Sequence, residues 1–216
     1  ARIQRAGPAG DHDDERGRHI ERLIAELSPE LCATDSEDLD TLIEAILPRI
    51  SEAVRADSVA LIADGVGDSE RRTYRYASAM DGADAETATA VHSPALWEHL
   101  EVENEPLVLE RIPADLPQES LTSELLEHLR REPVQSAVVI PVSIANERTC
   151  VLALENREPI TWPPALVTQL RVCAEMIGAG LYRRRQSASL RALQRELERN
   201  VSRENEEPPS RHSAFG

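Results

Sequence analysis

The feature that most constrains this chain is a helix that does not stop where its domain stops. From Trp162-Pro163-Pro164 onward, Leu166, Leu170, Cys173, Ile177 and Leu181 recur three or four residues apart, which is one face of an amphipathic helix. After Arg183, Arg184 and Arg185 the spacing resumes with Leu190, Leu193, Leu197 and Val201. A helix that packs on its own domain and then projects outward hands position or rotation to something else. That is the architecture of a signalling protein.

The chain before this helix reads as alternating short elements. Residues 1–13, rich in Gly, Pro and Asp, read as a disordered segment, and residues 14–27 as a helix with Ile20, Leu23, Ile24 and Leu27 on one face. Thr34 to Glu37 has the spacing of a capping box that opens a second helix, running to about Arg55 with Ile43, Ile46, Leu47 and Ile50 inward. Pro48 falls inside it and should kink it or remove a hydrogen bond. Residues 58–63 form a buried strand, and residues 71–78 alternate as a second one. Residues 81–93 are small and polar and read as a mobile loop or a frayed helix. Ser93-Pro94 then starts a short helix carrying Leu96, Trp97 and Leu100. A strand at 107–109 and a helix at 120–131 follow. The two strongest strands, 136–143 and 148–155, are separated by a hairpin-length link, and Pro141 places the end of its strand at an edge or bulge. This order describes an α+β fold: an antiparallel sheet, helices grouped on one side, and a projecting C-terminal helix. The expected divisions are a domain over 14–185, a linker helix over 186–205, and a flexible run-up over 206–216 to an output domain.

Composition narrows the function classes. With only six aromatic residues in 216, the core must rest on Leu, Val, Ile and Ala. A net charge of −15 argues against binding nucleic acid or an anionic membrane. The charge is uneven: residues 183–203 carry seven Arg against Glu196 and Glu198, a local +5, read first as a solvated helix surface. No segment approaches the roughly 20 apolar residues of a membrane span. The polar start at Ala1 resembles no signal peptide and suggests an excised piece. Cys32, Cys150 and Cys173, odd in number and without C-x-x-C spacing, read as reduced core thiols of a cytoplasmic protein.

Catalytic chemistry is sparse. Gly65-Val66-Gly67 lies between two strands and reads as a turn rather than a phosphate cradle. Gly178 and Gly180 sit inside the last helix, where close packing against the sheet is the reason to tolerate them. His92, His99 and Glu101 lack the spacing of a zinc site and read as surface or packed residues. No catalytic residue and no metal ligand is assigned, and no cofactor is specified.

The order and the residues together resemble a GAF domain over roughly 18–185. The resemblance is carried by residues 40–50 (DTLIEAILPRI) running into 55–61 (RADSVAL), by 71–76 (RRTYRY) and by 106–117 (PLVLERIPADLP). Its strongest parts are 134–142 (VQSAVVIPV) and 149–156 (TCVLALEN), and it closes with Trp162 and 177–185 (IGAGLYRRR). Residues 193–205 (LQRELERNVSREN) are similar to the linker helix of bacterial sigma-54-dependent regulators, and 212–216 (HSAFG) to the run-up to their AAA+ ATPase domain. Glu206-Glu207-Pro208-Pro209 departs from that pattern. A histidine kinase or cyclic-dinucleotide enzyme can carry a similar domain and linker. The bilin-binding Cys-His pair and the cyclic-nucleotide pattern of GAF domains are missing, and the cysteines do not match the thiol enzymes that reduce free methionine sulfoxide.

The resemblance implies a regulatory module that binds an unidentified small molecule and signals through the last helix to a transcription-activating output domain in the same polypeptide. The ligand of such folds lies over the sheet beneath a crossing segment, here residues 79–131. The implied lining is Tyr74, Tyr76, Met80, His92 and Trp97, with Trp97 as its cap. Taken singly, each of the three aromatics reads first as core; as a set, in a chain with six, they point to a cavity. The second reading is a ligand-free dimerisation module. In either case a homodimer is expected, with Ile20, Leu23, Ile24 and Leu27 bundled with Leu190, Leu193 and Leu197.

Overall fold

The computed structural model describes residues 9–35, 38–63, 71–78, 104–112, 114 and 134–206. Helix α1 spans Ala9–Ala33 and α2 Leu39–Val54. Strands β1 (Ser58–Ala63), β2 (Arg72–Ala77), β3 (Leu107–Leu109), β4 (Ser136–Ile144) and β5 (Glu147–Asn156) follow, and α3 runs over Pro164–Glu206. The sheet order is β2-β1-β5-β4-β3, and every pairing is antiparallel. This is the expected α+β arrangement, with the described helices on one side of the sheet and the last helix projecting.

Strand alternation gives the sheet two unlike faces. Val59 and Leu61 of β1, Tyr74 and Tyr76 of β2, Val138 and Ile140 of β4, and Leu152 and Leu154 of β5 belong to the same cluster as the inward residues of the helices. Above them, α2 lies over β1 and β2, and α3 over β4 and β5. Helix α1 packs on α2 and α3, with Ile20, Leu27 and Leu31 buried between them. Each fully buried Leu or Ile contributes about 1.5–3 kcal/mol, so this aliphatic interface carries the stability that aromatic residues supply in other cores.

Local chemistry explains most boundaries. Pro164 opens α3 where the missing N–H costs nothing. The β4–β5 link is a two-residue hairpin: Ile144 pairs with Glu147, and both Ala145 and Asn146 have positive φ (54° and 63°), as a type I′ turn requires. Strand β3 pairs only with residues 137–139 of β4, and the ladder to β5 slips between Val142 and Ser143. Pro141 therefore sits beyond the reach of β3 and beside a bulge, as its type demands.

Three expectations need correction. Helix α1 is longer than 14–27: it begins at Ala9 and passes through Pro29, because packing on α2 and α3 overrides weak local propensity. Thr34 does not cap α2. Its Oγ1 donates back to Glu30 O (2.6 Å), finishing α1, while α2 starts after Asp38 with no side-chain cap. Cys32 is exposed, so only Cys150 and Cys173 are core thiols.

Gly178 shows how closely α3 approaches the sheet. A Cβ built there would stand 2.8 Å from Val142 Cγ1 and 3.4 Å from Cys150 Sγ. Val142 is buried and stiff at χ1, so it has little room to yield. Gly178→Ala gains about 1 kcal/mol of helix propensity but faces about 1–3 kcal/mol of overpacking. The expected outcome is a net loss on the order of 1 kcal/mol, read as a lower urea midpoint at unchanged slope.

Candidate functional site

The second face of the sheet is built from small residues. Across the strands the rows read Arg75, Ala60, Ala153, Val139, Leu107, then Ala77, Ser58, Glu155, Ala137, Leu109, then Thr73, Ile62, Val151, Pro141. Ala60, Ile62, Ala137, Val139, Val151 and Ala153 are all buried, yet they stand apart from the cluster beneath the helices. Three alanines in the middle of a sheet leave a shallow, smooth apolar floor. One acid borders it: Glu155 is buried and accepts a hydrogen bond from Ser58 Oγ (3.1 Å).

The other organised polar site lies where α3 leaves the domain. Among the described residues Leu181 is the last apolar one of α3 buried in the core, and the three arginines shortly after it each tie the helix to a different element. Arg183 donates to Leu31 O (2.6 Å), satisfying a carbonyl in the last turn of α1. Arg185 pairs with Glu147 at the hairpin (3.6 Å), an exposed contact of small worth. Arg184 reaches furthest inward, pairing with Asp40 in the first turn of α2 and donating to Tyr74 Oη of β2 (3.4 Å). Asp40 also accepts from Tyr74 Oη and Arg72, so one carboxylate gathers donors from β2 and α3. Burial alone would raise the Asp40 pKa. The hydrogen bonds from Tyr74 and Arg184, with the charges of Arg184 and Arg72, outweigh that and hold it below the ordinary carboxylate range. Burial and the bond to Asp40 push the Tyr74 phenol up.

The structure divides the predicted ligand residues. Tyr74 is 4% exposed and committed to Asp40 and Arg184 on the helix face. Tyr76 shares that face, half-buried, and lines an open cleft of about 550 Å³ with Pro48, Arg55, Asp57 and Ser78. Neither tyrosine reaches the alanine floor, because even-numbered positions of β2 point the other way. Met80, His92 and Trp97 lie outside the described residues. The residues expected to bundle in a dimer fall into two groups. Ile20, Leu23 and Leu27 are buried in the domain's own core and Ile24 packs on it, whereas Leu190, Leu193 and Leu197 are 66%, 58% and 65% exposed.

Sequence reasoning missed the alanine floor and the arginine collar. The floor is legible only once register aligns Ala60 with Ala153. The collar had a signal: three arginines where the apolar stripe breaks, too abrupt for a uniformly solvated surface. Thiol chemistry is not poised at Cys173, since burial raises it to about 12 and a thiolate is the reactive form. Among the described residues no three His, Cys, Asp or Glu side chains converge as metal ligands, and no helix is long and apolar enough to cross a membrane.

Comparison with known proteins agrees with this geometry. The model of the GAF domain family matches residues 38–181. No curated protein matches the chain in sequence. Among solved structures, it is similar to the GAF domain of a phosphoenolpyruvate-protein phosphotransferase from Coxiella burnetii (TM-score 0.59, 14% identity, covering 80% of this chain and 98% of that one). It is similar to a GAF domain assigned to a sensor histidine kinase of Pseudomonas syringae pv. tomato (TM-score 0.53, 18% identity, 84% and 99%). It is also similar to the phycoerythrobilin-bound GAF domain of a cyanobacterial phytochrome (TM-score 0.60, 14% identity, 78% and 97%). At these identities the likeness speaks for the fold.

The Asp40 cluster has a measurable pH signature. A lowered folded pKa contributes stability that is complete above the ordinary aspartate value of about 3.9 and is lost as pH falls through the lower value. Asp40→Asn should cost about 1–2 kcal/mol at pH 7, discounted for partial exposure. The gap from the parent chain should narrow as pH is lowered toward 3. Urea midpoints of both chains across that range check it; a constant gap would contradict the assignment.

Proposed function

The chain belongs to the GAF domain family, and on that premise we propose that it is the sensory module of a signalling protein, binding a small molecule over the alanine floor and passing the change outward through α3. GAF domains are sensory and signalling modules. The observation that carries the reading is the contrast between the two faces. One is filled by three helices; the other is buried, small-residue and separate from their core. A floor of Ala60, Ala137 and Ala153 suits the flat or apolar body of a small ligand, which needs concavity and few polar anchors. The phytochrome relative holds a bilin. Here the sequence lacks the Cys-His pair, so we propose a different, non-covalently held compound. Met80, His92 and Trp97, on the connection from β2 to β3, remain our candidates for its other side.

The output domain we propose lies in the same polypeptide beyond α3 and activates transcription, as the likeness of residues 193–205 to the linker of sigma-54-dependent regulators suggests. We also propose a homodimer through α3 alone. Set as a heptad, Leu190, Leu193 and Leu197 form the a and d seam, while Arg191, Arg195 and Arg199 fall on outer positions, so like charges stay apart. Two heptads are too short to pair unaided, and the docked half of α3 supplies the pre-formed helix that the seam extends.

Two measurements check this reading. The purified chain, exposed to cell extract and examined by native mass spectrometry, should retain one compound that the Ala153→Leu variant, with its floor filled, does not. Repeated failure to retain anything, with no thermal shift, would leave the interaction-module reading in its place. In sedimentation, Leu193→Asp should convert a dimer to a monomer at micromolar concentration without unfolding it, because Leu193 is 58% exposed and outside the core; an unchanged dimer would refute the seam.

A further inference from the structure

We propose that Asp40 is a latch coupling the edge strand β2 to the projecting half of α3, so that movement of β2 sets the direction in which α3 leaves the domain. The proposal rests on the reading that the chain signals through α3. Three observations converge on it. First, among the described residues the arginine collar makes the last side-chain ties of α3 to the domain, and nearly every residue of 186–200 is exposed. The projecting half continues the docked helix, and the side-chain ties nearest its exit are those of Arg183, Arg184 and Arg185.

Second, only one of the three reaches the sheet edge. Arg183 ends on α1 and Arg185 on the hairpin, while the partner of Arg184 is a carboxylate also held by Arg72 and Tyr74 of β2. Third, β2 reads both faces of the sheet. Its alternate residues Thr73, Arg75 and Ala77 stand in the rows of the alanine floor, and Arg72 and Tyr74 point to the latch. Among the described strands β2 pairs only with β1, so it is an edge strand held by backbone hydrogen bonds on one side. A load on the floor that displaces β2 moves Tyr74 and Arg72, and the shared carboxylate carries that motion to Arg184.

Charge makes the latch two-state. Asp40 sits between two guanidinium groups that repel one another without it. Removing the carboxylate's charge frees Arg184 to leave, because what then ties the helix to β2 is the long hydrogen bond from Arg184 to Tyr74 Oη (3.4 Å). Asp40 is a positioning residue here, acting through Arg184.

Electron–electron distance measurement on the full chain tests this without any ligand. One spin label goes on the exposed native Cys32 and the other on Ala192→Cys, with labelled chains diluted in unlabelled ones. The parent should give one narrow distance distribution. Asp40→Asn and Arg184→Gln should each broaden it at least twofold, the double variant should be no broader than either single one, and Arg199→Gln should leave it narrow. Unchanged widths in both single variants, additive broadening in the double variant, or equal broadening by Arg199→Gln would overturn the latch. If Asp40→Asn fails to fold by circular dichroism, Arg72→Gln, whose side chain is 59% exposed, replaces it. Intermediate broadening is then expected, and an unchanged width overturns the proposal. A negative result sinks the latch even if the chain retains a compound from extract. A positive one stands even if it retains none.

Discussion

Period-two alternation across five antiparallel strands is the constraint on which the rest of this structure depends. It puts Leu61, Ile140, Leu152 and Leu154 on one face and Ala60, Ala137 and Ala153 on the other, one residue away along the same strands. Large aliphatic side chains call for a thick helical layer, and α1, α2 and α3 supply it. Small ones leave the opposite face smooth. A one-residue slip of β5 against β1 would exchange the two faces, so a single register fixes the core and the candidate binding floor together.

The long helix inherits its division of labour from the same constraint. Its first half must match the aliphatic face, and it does so closely enough that Gly178 is needed where it crosses Val142 and Cys150. The described residues of its second half are nearly all exposed. The boundary falls on Arg183, Arg184 and Arg185, long side chains that can lie along an apolar surface and still place charge on partners several ångströms away. Arginine suits this better than lysine, since its planar fork serves Asp40 and Tyr74 at once.

Much of the fold was legible in the sequence because its signals are periodic. Ser58–Ala63 and Leu107–Leu109 are the strands the pattern predicted, the β4–β5 hairpin follows from its link length, and Pro164 marks the start of α3. Boundaries set by tertiary packing were not legible. Pro29 lies inside α1 because α2 and α3 hold that helix in place, and Thr34 closes one helix rather than opening the next. The candidate site was legible only in part. Tyr74 stood out as a scarce aromatic, but its role follows from Asp40, 34 residues away, and no local pattern joins the two. Likewise Ile20, Leu23 and Leu27 had the stripe of an interface helix, and what they meet turned out to be the chain's own α2 and α3.

The proposed coupling connects the alanine floor to the exit of α3 through β2. The most direct measurement is the guanidinium nuclear magnetic resonance spectrum of Arg184 in the parent chain and in Ala60→Val, which adds two methyl groups to the floor beside Arg75. Coupling through β2 should shift or broaden the Arg184 signals while those of Arg199, on the projecting half, stay in place. Arg184 signals that coincide in the two chains, with the backbone amides of β2 displaced by the substitution, would contradict it.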